Sequence, residues 1–207
     1  EFVTFQGNEE FDRKKGKGYG EALILEYALE HSLFVHQCDF LVKITGRLKL
    51  LNVNSMIGFH RYILPHCDIQ SEMDRRERYS DSRMLITDKG FLQHSFLARK
   101  ERIDDSKGCN FEHILFTSID EQKDFVFYPF LIRPLWRGIS GTNGREYWEG
   151  NYTSLKLAYF KRMLNCMTEY NMCHPHNKPS MGVRLVLGMA GMAVGTVLRF
   201  FDWIKNE

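Results

Sequence analysis

Four stretches of this 207-residue chain carry residue types that bind anions or move protons. Lys17-Gly18-Tyr19-Gly20-Glu21 sets glycines and a cation ahead of a helical pattern, where backbone N–H groups can approach an anion at the positive helix end. The run lacks the Gly-Lys-Ser/Thr ending of a P-loop and the spacing of a dinucleotide fingerprint, so a flexible turn with solvated lysines is the plainer reading. Lys43-Ile44-Thr45-Gly46-Arg47 places two cations at the end of an apolar strand. A lysine inside such a strand is unusual because burying its charge without a partner is costly. An anion site is read here, beside the alternative of strand-end surface cations. In Asp74 to Arg83, the residues Asp74, Asp81, Ser82 and Arg83 could orient a substrate by hydrogen bonds, although charge runs are usually solvated loops. Glu112 and His113 follow Asn110 at the opening of a helix, where an acidic residue serves as a general base or simply favours the helix dipole.

These residues need elements to position them. Phe2 to Phe5 reads as a strand, Asp12 to Gly20 as a charged glycine-rich turn, Glu21 to Ser32 as a helix with Ala22, Leu25, Ala28 and Leu29 at helical spacing, and Phe40 to Ile44 as a strand. That order predicts a βαβ unit with a parallel sheet and a right-handed crossover. Ligands of open α/β sheets bind at the carboxyl ends of the strands, which is where Thr45 to Arg47 falls. Further on, His66 to Ser71 and Arg83 to Thr87 read as strands, Lys89 to Lys100 as a helix, Glu112 to Ile119 as a helix capped by Asn110, and Asp124 to Trp136 as strand-rich. A glycine-bearing loop from Gly138 to Gly144, flanked by Trp136, Tyr147 and Trp148, has the content of a carbohydrate-facing surface or of a loop over buried tryptophans. A helix is predicted from Ser154 to Tyr170.

The blocks Lys17-Gly-Tyr-Gly-Glu21 and Lys43-Ile-Thr-Gly-Arg47, with Asp81-Ser82-Arg83 before a strand, resemble a group of bacterial capsule and lipopolysaccharide glycosyltransferases of GT-A type. The resemblance covers about residues 1–150. It implies an α/β, GT-A-like (Rossmann-type) fold with a mostly parallel sheet flanked by helices in one domain, residues 1–150 forming a sugar-nucleotide-binding and catalytic core whose first strand is missing, and residues 151–207 a C-terminal helical extension. It implies an enzyme that moves a sugar from a nucleotide-diphosphate donor to a growing surface glycan or lipid-linked glycan. Donor binding would fall to Lys17, Gly18, Gly20, Glu21, Lys43, Thr45, Gly46, Arg47, Asp74, Ser82 and Arg83, and catalysis to Glu112, His113 or Asp81. GT-A enzymes commonly carry an Asp-x-Asp metal motif where this chain has Lys43 to Arg47. No cofactor is therefore expected, a divalent metal is doubtful, and fixed cations would stabilise the leaving diphosphate instead.

Composition narrows the alternatives. The 28 basic and 26 acidic residues nearly cancel, which argues against a nucleic-acid surface, and the 43% hydrophobic content suits a globular core. Five scattered cysteines without a paired C-x-x-C spacing suit a reducing cytoplasm, and the Cys173, His174, His176 group lacks a second pair to complete a zinc site. The apolar run from Leu185 to Leu198 is shorter than the roughly 20 residues a spanning helix needs. It reads as a core-packing helix or as a helix touching the inner face of the cytoplasmic membrane. Two other functions fit some of the same residues: a non-catalytic nucleotide-binding α/β module, and phosphoryl transfer.

Overall fold

The computed structural model describes residues 1–5, 12–64, 66–130, 132–139, 144 and 146–148. In chain order these form α1 (Lys17–His31), α2 (Leu33–Gln37), β1 (Leu41–Ile44), β2 (Leu48–Leu50), α3 (Val53–Ile63), β3 (Ile69–Ser71), β4 (Met73–Asp74), β5 (Tyr79–Ser80), β6 (Met84–Thr87), α4 (Phe111–Asp120), β7 (Phe127–Pro129), β8 (Trp136–Ile139) and β9 (Glu146–Trp148). The fold is α/β. A four-stranded sheet runs in the order β1-β6-β3-β7, beside a three-stranded sheet β2-β8-β9 and the hairpin β4-β5.

Strand β6 organises the core. All four of its residues are buried, and because successive side chains point to opposite faces they divide between two hydrophobic clusters. Leu85 joins Ile69, Phe111, Ile114, Leu115 and Phe127 on the face covered by α1 and α4. Met84 and Ile86 join Leu50, Met56, Phe130 and Trp136 on the other face, covered by α3 and the second sheet. The same alternation in β1 puts Leu41 against the first cluster and Val42 against the second. Lys43 therefore falls on the α1/α4 side.

The predicted parallel βαβ opening is corrected. Residues 1–5 form no strand; Glu1 instead caps α2, its carboxylate accepting hydrogen bonds from the Ser32 hydroxyl at 2.7 Å and the Leu33 amide at 3.0 Å. These donors hold the Glu1 carboxyl below the usual range. Strand β1 pairs antiparallel with β6, Leu41 opposite Thr87 and Ile44 opposite Met84, and β3 pairs antiparallel with β6. Only β3 and β7 run parallel in this sheet. A mostly parallel sheet is therefore not what the described residues form. The predicted helix at Lys89 to Lys100 is a π-helical segment Phe91–Phe96 followed by a 3-10 segment Leu97–Arg102. The charged run after Glu72 is not an irregular loop: it folds as the β4-β5 hairpin. The helices expected in residues 154–170 and in the tail, and the extension 151–207 as a whole, lie outside the described residues. No helix among the described residues is long and apolar enough to cross a membrane.

One detail of the core, the buried His60, is testable through pH. His60 in α3 is 5% exposed, its Nδ1–H donating to Gln70 Oε1 at 3.0 Å and its ring lying 4.7 Å from that of Phe40. Burial lowers its pKa below the ordinary 6.5, against the smaller opposing pulls of Gln70 and Asp68. The folded protein thus keeps His60 neutral while the unfolded chain protonates near pH 6.5. Stability is fully present above that value and is lost as pH falls through it. The melting temperature is expected to fall between about pH 7 and 5, and His60→Gln to flatten that slope. An unchanged slope in the variant would show that other groups govern it.

Candidate functional site

Helix α1 begins at Lys17, four residues before the predicted Glu21, so the glycine segment is the helix's first turn rather than a loop ahead of it. Gly16, at φ 88°, adopts a conformation that favours glycine and turns the chain into the helix. The helix start is occupied by the protein's own acid. Asp105, from a 3-10 turn Asp105–Lys107, accepts the Gly18 amide at 3.1 Å on Oδ2, and its Oδ1 is buried without a hydrogen-bond partner among the described residues. The positive end of α1 thereby meets a carboxylate supplied in cis.

Close packing explains the second glycine. A Cβ on Gly18 would stand 2.9 Å from Asp105 Oδ1, 3.0 Å from the Phe111 amide nitrogen and 3.1 Å from Phe111 Cβ. Alanine gains about 1 kcal/mol of helix propensity over glycine, whereas overpacking against a backbone costs about 1–3 kcal/mol. Gly18→Ala is expected to lower the urea midpoint. A higher midpoint would show that α1 moves aside freely.

Lys43 resolves the question of a lysine inside an apolar strand. Its side chain is 9% exposed, and its ammonium pairs with Glu21 of α1, donates to the Ser82 backbone carbonyl, and lies 3.4 Å from Thr45 Oγ1. The Phe111 ring centroid is 5.3 Å away, a cation–π contact. An ammonium has three protons, and three protein acceptors surround this one. Burial is tolerated because it is paired.

Ser82, which precedes β6, is 7% exposed, and its hydroxyl donates to Glu112 Oε1 at 2.6 Å. Glu112 sits in the first turn of α4, whose N-cap Asn110 accepts the His113 amide at 3.1 Å, so the helix start favours the carboxylate's charge. The carboxylate is half-buried, and its Oε2 accepts no hydrogen bond from the described residues. One oxygen is tied and the other is open.

The structure thus brings together Gly18, Glu21, Lys43, Thr45, Ser82 and Glu112, contributed by α1, β1, the β5–β6 connection and α4. Gly20 lies in the opening turns of α1 beside them. Arg83 pairs with Asp81, accepted by both carboxylate oxygens, and its guanidinium lies 5.8 Å from the Trp136 ring, while Thr45 donates its amide to the Arg83 carbonyl at 2.9 Å. Arg47 and Gly46 form the exposed turn between β1 and β2; a Cβ on Gly46 would meet nothing, and Arg47 makes no ion pair with the described residues. Lys17 is exposed in the first turn of α1.

Two other site residues are employed locally. Asp74 accepts the Arg76 and Glu77 amides at 3.0 and 3.3 Å and so builds the β4-β5 turn. His113 turns its ring toward Tyr79, 6.1 Å between centroids, and its Nδ1 is buried without a partner among the described residues. Trp136 is 3% exposed and packs in the second cluster, so it offers no face to a sugar; residues 140–143 of its loop lie outside the described residues. A groove lined by Glu26, Leu29, Leu97 and Lys100 includes none of the gathered residues.

Asp105 went unread in the sequence. The available signal was Asp104-Asp105-Ser106, an acidic helix-capping run, but nothing local links it to a glycine 87 residues away. Among the described residues, no group of three or more His, Cys, Asp or Glu stands close enough to hold a metal ion. No family model, no curated protein and no solved structure matches the chain.

Proposed function

We propose that the chain is a glycosyltransferase that moves a sugar from a nucleotide-diphosphate donor to a growing bacterial surface glycan, with inversion and without a divalent metal. The observation that carries this reading is Glu112: a carboxylate at a helix start, one oxygen held by Ser82 and the other open, standing among the residues of three separate sequence blocks that resemble such enzymes. A general base needs a fixed position and a free lone pair within reach of the acceptor hydroxyl. In the proposed mechanism Glu112 Oε2 takes the acceptor's proton as its oxygen attacks the anomeric carbon. The bond from that carbon to the diphosphate breaks, and the nucleoside diphosphate leaves with the electron pair. Arg47 and Lys17, both exposed cations beside the gathered residues, stabilise the charge that grows on it. The finer architecture proposed with this function is a GT-A-like core in which α1 and β1 flank the donor. Peripheral contact with the cytoplasmic face of a membrane would suit a lipid-linked acceptor.

The test is turnover of a panel of uridine- and guanosine-diphosphate sugars by the purified chain, with and without EDTA. The expected result is release of nucleoside diphosphate that survives chelation, with the matching diphosphate raising thermal stability through binding to the folded state. Loss in EDTA with rescue by Mn²⁺ would overturn the metal-independent mechanism. Binding without turnover would favour the nucleotide-binding module, and ATP hydrolysis in place of sugar release would favour phosphoryl transfer.

A further inference from the structure

We infer that Ser82 is a positioning residue for Glu112 and that the Glu21–Lys43 pair acts on Glu112 through it. The argument follows the hydrogen bonds. A serine hydroxyl has one proton to give, and Ser82 gives it to Glu112 Oε1 at 2.6 Å. The hydroxyl is therefore committed to the carboxylate; a substrate could approach it only as a donor, and at 7% exposure there is little room to do so. The backbone carbonyl of Ser82 is taken by the Lys43 ammonium. Ser82 is thus pinned from one side by β1 and pins α4 from the other.

Lys43 owes its own position to Glu21. With its side chain 9% exposed, the ammonium needs a counter-charge, and Glu21 is the acid that meets it. Thr45 Oγ1 at 3.4 Å and the Phe111 ring at 5.3 Å complete its surroundings. Phe111 directly precedes Glu112 in the first turn of α4, so the same cation also contacts the residue next to the one that carries the carboxylate. Glu21, Lys43, Ser82 and Glu112 form one polar chain across α1, β1, the β5–β6 connection and α4. Hydrogen bonds to charged groups are shorter and stronger than neutral ones, and here three of the four members carry charge. The chain leaves Glu112 Oε2 as its open end. Ser82 and Glu21 thereby differ from residues that would touch a donor: they fix the direction in which the carboxylate presents that oxygen.

Naming the carboxylate's task as general base rests on the proposed sugar transfer, but the positioning itself does not, and the experiment separates the two. The first arm records the carboxyl ¹³C resonance of Glu112, assigned by its disappearance in Glu112→Gln. Ser82→Ala is expected to move that resonance, Ser82→Thr to restore it because the hydroxyl is kept, and Glu21→Gln to move it from two links away. Glu26→Gln, on the same helix as Glu21 but in a separate pair with Lys100, is the control and should leave it in place. The second arm measures sugar transfer: Ser82→Ala lowers kcat by about 10–100-fold, the worth of one hydrogen bond to a charged group, with KM for the donor nearly unchanged. A Glu112 resonance indifferent to both Ser82→Ala and Glu21→Gln overturns the inference. A resonance that moves as described in a protein with no sugar transfer upholds the positioning and overturns the proposed function. A rise in donor KM with kcat intact would assign Ser82 to substrate binding instead.

Discussion

Glu112→Gln is expected to lower the rate of sugar transfer by about 10²–10⁴-fold, the contribution of a positioned general base, while leaving the folded state nearly as stable as before. The two effects separate because the substitution preserves shape. Glutamine keeps a carbonyl oxygen where Oε1 stands, so the Ser82 hydroxyl retains an acceptor, and only the charge assistance of that 2.6 Å hydrogen bond is lost. Glu112 is half-buried in the first turn of α4, where removing a negative charge forfeits a favourable dipole term of about 0.3–1 kcal/mol. An unfolding free energy, from urea titration, lowered by no more than that, with transfer reduced to the background of the assay, is the expected pair of measurements. Equal transfer by the variant and the parent would remove Glu112 from the mechanism. A large loss of both stability and transfer would make it a structural carboxylate.

Lys43 and Arg47 belong to the same five-residue block, yet the structure predicts nothing common about their loss. Lys43→Met removes the counter-charge of Glu21 and the donor to Ser82, leaving a carboxylate and a carbonyl facing an apolar side chain. Breaking a fully buried pair costs about 3–5 kcal/mol; Glu21 remains 35% exposed and can rehydrate in part, so about 1–3 kcal/mol is expected here. Glu21→Gln in the Lys43→Met background should cost less than Glu21→Gln alone, since the cation it served is gone. Strict additivity in that double-mutant cycle would show that the pair contributes nothing. Arg47 is exposed in the β1–β2 turn and makes no ion pair with the described residues, so Arg47→Ala should change the unfolding free energy by no more than about 0.5 kcal/mol. Its expected effect is on transfer, about 10²–10³ in kcat, the cost of deleting one donor to a developing oxyanion. A change confined to donor KM would make Arg47 a ground-state contact.

Much of the local structure was legible in the sequence because it depends on neighbours a few residues apart. Strands at Leu41–Ile44, Ile69–Ser71 and Met84–Thr87 follow from apolar runs bounded by polar turns, and the start of α4 follows from Asn110, whose side chain caps the His113 amide. The co-occurrence of Lys17 to Glu21, Lys43 to Arg47 and Asp81 to Arg83 singled out residues of which several do converge. Their tasks were less legible. Glycines before a helical pattern resemble an anion loop whether the helix begins after them or among them. At Gly18 the reason for glycine is the approach of Asp105 and Phe111, both remote in sequence.

Sequence alone determined β1, β3, β6 and α4 with their approximate bounds, and the need for a partner to Lys43, since an apolar strand cannot hold an unpaired ammonium. Tertiary structure decided who the partners are and how the strands pair. Residue types and periodicity are the same for a strand that will lie parallel or antiparallel to its neighbour, so β1 beside β6 in antiparallel register emerges only from long-range pairing. The alternation of β1 then turns Lys43 toward α1, where Glu21 stands, and the connection from β5 to β6 brings Ser82 to α4, where Glu112 stands. The side of the sheet to which each charge is carried is a property of that packing, and it converts four separated polar residues into one connected chain.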